Sequence, residues 1–400
     1  MNSYAVRLDP SAGAPAAGSA GESYQDAILP GVSRTFALTI PELPRGLREV
    51  VTNGYLLCRI ADTIEDDPAL SLAERRLFHA RFHAAVAGEG DAEALALELA
   101  PRLSDRTLAA ERELVRNAAE VVRVTHGFAP RERAALSRCV GVMCEGMPRF
   151  QRGGRPRGLA DVDELHEYCY YVAGVVGEML TELFCAHSPR IDARRAELER
   201  LCVSFGQGLQ MTNILKDVWD DLERGFCWLP RDVFVRAGFD LSTLAPGRRS
   251  PEFQRGLREL IGIAHGHLRD ALEYTLLLPK DEKGIRRFCL WALGMAVLTL
   301  KKIHRRIDFD ASRQVKISRR SVKAAIAVSN ACTSSDALLR FAFALSAAGL
   351  PAATFVDARE KRALDRDPLA APAFERGALA ADAVDRDARA KESMRSDSQA

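Results

Sequence analysis

The chain has 400 residues, 47% of them hydrophobic, enough for one large helical core or for two smaller ones. Its 56 Lys and Arg against 54 Asp and Glu leave a formal charge of +2, which removes any bulk electrostatic case for nucleic acid or for an acidic partner. Function must reside in local sites.

Residues 1–21 are rich in small residues and Pro and lack a basic segment followed by an apolar one, so they are expected as an N-terminal tail without a secretory signal. From 22 to 352 the apolar spacing is three and four nearly throughout, alternating patterns are absent, and Gly and Pro are sparse. This predicts one all-α domain with helices over roughly 44–66, 71–88, 107–126, 130–149, 161–186, 193–222, 252–277, 282–307 and 319–350. Residues 353–400, Ala-rich with closely mixed charges, are expected as a C-terminal tail. The basic breaks at 153–157 and 246–249 read as solvated loops. The apolar stretch Phe288 to Leu300 is shorter than the roughly 20 residues a bilayer requires and reads as a core helix.

The nine cysteines are odd in number, scattered and never spaced C-x-x-C, which predicts reduced, mostly buried thiols in a cytoplasmic protein. His265 and His267 lie two apart on a predicted helix and point in different directions, and all eight histidines read as structural or surface residues. The basic run Lys301, Lys302, His304, Arg305 and Arg306 reads as a solvated helix end, with peripheral contact to an anionic membrane as the alternative. The sequence does not set the oligomeric state, and a monomer is consistent with it.

Two helices carry the chemistry. In the first, Val51, Tyr55, Arg59, Asp62 and Asp66 fall within an arc of roughly 80°, so an apolar stripe runs straight into carboxylates, with Glu65 beside them. In the second, Leu201, Phe205 and Leu209 lead by steps of four into Asn213, Asp217 and Asp221. Ionised carboxylates crowded in a partly buried cleft repel and lose hydration, so a cation must offset them. Oxygen-only ligands at i and i+4 suit a hard ion such as Mg²⁺, which takes one or two carboxylates plus phosphate oxygens and water. A pair of solvated helix ends bridged to Arg59, Lys216 or Arg224 is the competing reading.

Ser33-Arg34-Thr35-Phe36, the run Leu57 to Asp67, the run Tyr168 to Gly177, and the run Gly208 to Asp221 together resemble squalene synthases and their phytoene synthase relatives, in the right order across about residues 25–350. Phe288-Cys289, Met295-Ala296, Val315-Lys316-Ile317 and Arg319 resemble the C-terminal part of squalene synthases. Lys216, Tyr170 and Ala292 depart from residues common in the family. The resemblance implies the isoprenoid synthase fold, a helical bundle around a central cavity. It also implies farnesyl diphosphate as substrate, Mg²⁺ and NADPH as cofactors, and two half-reactions that lead through presqualene diphosphate to squalene.

By residue reading and resemblance together, Asp62, Glu65, Asp66, Asp217 and Asp221 bind Mg²⁺; Arg34 and Arg59 meet phosphate oxygens, with Ser33 as a hydroxyl donor. Tyr171 is expected to stabilise positive charge and relay a proton, with Ala173, Gly174 and Gly177 allowing the substrate close approach, and Phe288 to wall a carbocation off from water. Asn213, Lys316 and Arg319 are expected at the diphosphate or the NADPH phosphates. No Gly-x-Gly-x-x-Gly follows a predicted strand, so the nicotinamide cofactor is implied by the resemblance alone. The alternatives are an enzyme that stops at presqualene diphosphate or makes dehydrosqualene or phytoene without reduction, and a non-catalytic assembly homologue.

Overall fold

Pro44 ends an extended turn and releases the chain into the first acidic helix, Arg45–Asp66, whose residues Val50, Leu57, Ile60 and Ile64 are buried on the face away from its carboxylates Asp62 and Asp66. The structure, a computed structural model, describes residues 20–150, 158–245 and 250–352. These residues belong to the compact unit Met1–Ala353; the unit Thr354–Ala400 and both basic loops expected at 153–157 and 246–249 lie outside the described residues. The helix Ala20–Val32 begins just inside the segment expected as an N-terminal tail.

The described residues are helical, with a single isolated bridge between Leu159 and Pro230. One core cluster joins the first acidic helix to Leu72–Ala87, Pro130–Gly146 and Val175–His187. A second joins the other acidic helix, Arg195–Glu223, to Pro251–Leu277 and Lys283–Arg305. Tyr171 and Phe205 pack against both. Along the line where the clusters meet, Tyr55, Leu201, Phe205 and Leu209 are only partly buried, so both stripes that lead to the carboxylates stay half open.

Three expected helices are interrupted. Residues 107–126 divide at Asn117, whose side-chain amide donates to the Glu113 carbonyl at 2.9 Å alongside its own backbone N–H at 3.1 Å. Residues 319–350 divide into Arg319–Cys332 and Asp336–Ala347, the latter capped by Ser335. The long run Val162–His187 contains a π-turn at Tyr170–Gly174, which adds a residue to the turn and rotates the rest of the helix about its axis. By length and composition this run would cross a bilayer, yet it packs against Pro130–Gly146 and Arg195–Glu223 as a core helix. The close approach made possible by Gly177 is to a helix: a Cβ there would stand 2.2 Å from the Cys202 carbonyl oxygen. That replaces the expected approach of substrate to this glycine. Eight of the nine cysteines are buried, Cys332 is half-buried, and all nine are free.

Candidate active site

Asp62 and Asp66 emerge on one side of the last turn of the first acidic helix. Arg59 lies one turn below them, its guanidinium 3.8 Å from Asp62 and 3.6 Å from Glu111, with its Nη2 donating to the Tyr55 hydroxyl at 3.3 Å. The Tyr55 hydroxyl in turn donates to the Val32 carbonyl at 3.0 Å, which fixes the base of the cluster. Burial works against the charge on Arg59, but Asp62, Tyr55 and Glu111 more than offset this and hold the guanidinium charged. Glu111 comes from the short helix Ala109–Arg116 and has no sequence signature, since an acid in a first turn ordinarily serves the helix dipole.

Asp62 keeps 29% exposure, all that the cleft leaves it, and desolvation pushes its carboxyl up to about 7 despite Arg59. Asp66 is also raised, by desolvation first, while Arg224 and Arg59 pull it down. Glu65 is placed differently from its expected partners. It is buried, with Oε2 3.1 Å from His79 Nε2 and Oε1 without a partner, one helical step of about 100° away from Asp66.

In the second helix Asp221 is raised to about 6 by desolvation, and Asp217 and Asp66 add to that while Arg224, its ion-pair partner, opposes it. Asp66 thus lies in the field of Arg224, and Asp221 in the field of Asp66: the two acidic motifs form one electrostatic site. Lys216 stands 3.1 Å from both the Asn213 amide oxygen and Asp217. Asp220 leaves this group and accepts from Ser312 Oγ at 2.7 Å, tying the segment that carries Lys316 to the second helix. Lys316 and Arg319 are exposed and unpaired among the described residues. No three His, Cys, Asp or Glu side chains among the described residues converge on one ion-sized point. The arrangement fits Mg²⁺ held by one or two carboxylates per ion, with the other positions left to diphosphate oxygens and water. Asp62, Asp66, Glu111, Asp217 and Asp221 outnumber the cations Arg59, Lys216 and Arg224 in this group.

The phenol beside these carboxylates belongs to Tyr168. Its ring stacks on Trp228 at 4.1 Å and meets Phe150 edge-on at 5.4 Å. Desolvation, then Asp66, Cys169, Asp221 and Asp62, hold its hydroxyl protonated well above the usual range. Gly225, at φ +86°, ends the second helix and folds the chain back so that Phe226 and Trp228 form a stacked lid on Tyr168. Tyr171, expected to stabilise positive charge and relay a proton, accepts from Arg149 at 2.9 Å, with that guanidinium 5.3 Å over its ring. Its ring occupies the space opened by Gly146, where a Cβ would come within 1.9 Å.

Phe288 is buried, with its ring 6.3 Å from Phe36 and 6.1 Å from Phe184; Phe36 continues to Tyr55 at 5.1 Å. An aromatic wall thus runs from the Lys283–Arg305 helix to the foot of Arg59. Ser33 is buried and accepts from the Phe36 amide at 2.9 Å, so its hydroxyl acts first as a cap that seats Phe36. Arg34 beside it is exposed.

Asp67, the last acid of the first motif, has a separate structural task. It is 1% exposed and accepts from the Ala69 and Ser104 amides at 2.8 Å each and from the Thr107 hydroxyl at 2.5 Å. These bonds pin the loop that delivers Glu111. Asp67→Ala should lower unfolding free energy by about 3 kcal/mol through the donors it strands. An unchanged midpoint in chemical denaturation would remove this role.

Residues 29–321 match the family model described as squalene/phytoene synthase. The squalene synthase of Schizosaccharomyces pombe is 30% identical over 284 residues, covering 70% of this chain and 59% of that protein, so the chain spans less than two thirds of this curated relative. Among solved structures, TcSQS in complex with the ligand BPH1237 aligns at a TM-score of 0.67 and 23% identity, over 84% of this chain and 94% of the other. A dehydrosqualene synthase solved with a ligand aligns at 0.55 and 20% identity, over 77% and 94%. At these identities the structural matches show a shared fold.

Proposed function

The chain belongs to the squalene/phytoene synthase family and has its isoprenoid synthase fold, and from that premise we propose that it joins two farnesyl diphosphates head to head and reduces the resulting presqualene diphosphate to squalene with NADPH. The observation that carries this reading is the union of Asp62, Asp66, Asp217 and Asp221 in one under-neutralised site at the head of two half-open apolar stripes. When bound, Mg²⁺ neutralises the diphosphate and assists its departure. Arg59, held charged and braced by Tyr55, presents a guanidinium fork to phosphate oxygens. Tyr168, protonated and rigidly stacked, offers its ring face to an allylic cation and its hydroxyl to the departing diphosphate, where it can relay the proton lost as the cyclopropane closes. Phe36 and Phe288 keep water from the later cation, whose capture would yield alcohols.

The test is incubation of the purified protein with farnesyl diphosphate and Mg²⁺, with and without NADPH, followed by lipid analysis. Squalene that appears only with NADPH supports the full reading. Dehydrosqualene, phytoene or presqualene diphosphate alone would replace it with the non-reductive one. NADPH supplies the hydride, and we assign its phosphates to Lys316 and Arg319, both exposed cations on the segment tied to Asp220. Because both are solvent-screened, changing both to Ala should raise the NADPH requirement by about tenfold while the first half-reaction persists. Squalene formation unchanged at limiting NADPH would move the cofactor elsewhere.

A further inference from the structure

An uneven charge distribution lies in the segment that Ser312 ties to Asp220 of the second acidic helix. Residues 301–323 contain nine Lys or Arg and two Asp, an excess of seven positive charges in a chain whose total is +2. None of the nine cations forms a salt bridge among the described residues, although the rest of the surface is laced with Arg–carboxylate pairs. Lys301 and Lys302 donate instead to the Leu345 and Lys316 carbonyls.

The last five residues of this segment open a hairpin of Arg319–Cys332 and Asp336–Ala347, which packs against the helix Lys283–Arg305 that carries the segment's first cations. Its outer face is apolar. Leu338, Phe341 and Leu345 are 50%, 68% and 64% exposed, and Val328 on the neighbouring helix is 49% exposed. At about 100° per residue the first three fall within roughly 60°, so they form one stripe. Lys301 is fixed beside it, its Nζ 3.2 Å from the Leu345 carbonyl oxygen. The hairpin's single acid, Asp336, is already engaged by Lys280 and Arg286.

We propose that this hairpin stripe and the basic segment that leads into it form a docking surface for an anionic lipid bilayer. An exposed aromatic and two leucines on one helix face, framed by uncompensated cations, combine the two attractions by which a peripheral helix enters an acidic interface. Other occupants fit less well. A second copy docking by the same face would bring two basic segments together. The chain's own residues 353–400 hold ten acids and nine bases, and so offer no complementary charge. Nucleic acid would meet the cations but leave the stripe in water. Lys316 and Arg319, assigned above to the NADPH phosphates, belong to the same segment, so the docking role rests on the other seven cations and the apolar stripe and is tested by binding alone, independently of the proposed reaction.

The experiment is co-sedimentation of the full chain with phosphatidylcholine vesicles, with and without phosphatidylglycerol as one lipid in three. Binding to the anionic vesicles should exceed binding to neutral ones by about tenfold or more and fall as salt rises. Changing Phe341 and Leu345 together to Ser should weaken it by about tenfold, and Arg320→Glu with Lys323→Glu should do likewise, with melting temperatures kept because all four side chains are exposed. The proposal falls if the wild type ignores anionic vesicles, or if the Ser pair binds as well as wild type. It also falls if deleting 353–400 abolishes binding, or if the Ser pair instead dissolves a dimer.

Discussion

Asp62→Asn and Asp217→Asn should each abolish Mg²⁺-dependent turnover, by at least about a hundredfold, while folding normally. The two differ in metal-free stability. Asp62 is pushed up to about 7 by desolvation, so between the unfolded value near 4 and that level the folded state binds the extra proton. Stability from this group is therefore fully present below about pH 4 and lost as pH rises through about 7. Asn carries no charge and escapes that loss. At about pH 8 without metal, Asp62→Asn should be more stable than wild type by on the order of 2 kcal/mol, allowing for the solvent that still reaches the carboxylate. Asp217 is half-exposed and paired to Lys216, so its replacement should change stability by less than about 1 kcal/mol. Melting curves in chelator across this pH range, with and without added Mg²⁺ and inorganic diphosphate, provide the check. An Asp62→Asn protein that melts below wild type at high pH, or either variant with near-normal turnover, would contradict the metal assignment.

The acidic site is legible in the sequence because its signal is local. Asp62 and Asp66, and Asp217 and Asp221, each sit four apart after an apolar stripe, and the helices that hold them lie at Arg45–Asp66 and Arg195–Glu223, within two residues of expectation. At the breaks by Asn117 and Ser335 a polar side chain bonds the local backbone, adding to the Glu113 carbonyl's bonds in one and capping the Leu338 amide in the other, which periodicity does not register. The short helix Ala92–Leu99 is missing from the predicted elements although Asp91 caps it through the Ala94 amide at 2.9 Å, a readable signal. The long-range part is not legible: Glu111 reaches Arg59 across 52 positions, and His267 joins His166 at 3.0 Å and Ser204 at 2.6 Å as a structural polar cluster. Glu65 belongs to the readable motif, but only the fold shows that His79 holds it on another face.

Tyr168→Phe should slow formation of presqualene diphosphate by about a hundredfold or more, whereas Tyr171→Phe should change it only a few-fold. The distinction comes from where each phenol goes. Tyr171 lies within the π-turn at Tyr170–Gly174 and points to Arg149. Tyr168 precedes that turn, stacks on Trp228 and stands in the field of Asp66, Asp221 and Asp62. Phe in its place keeps the stacking, so melting temperature and Mg²⁺-diphosphate binding should be retained and the loss should appear in kcat. Because desolvation and the carboxylates keep this hydroxyl protonated far above its ordinary value, the wild-type rate should show no loss assignable to tyrosine ionisation below about pH 10. If Tyr171→Phe were the crippled variant and Tyr168→Phe near normal, the proton relay would belong to the Arg149 side, and the stack of Phe226, Trp228 and Tyr168 would be packing alone.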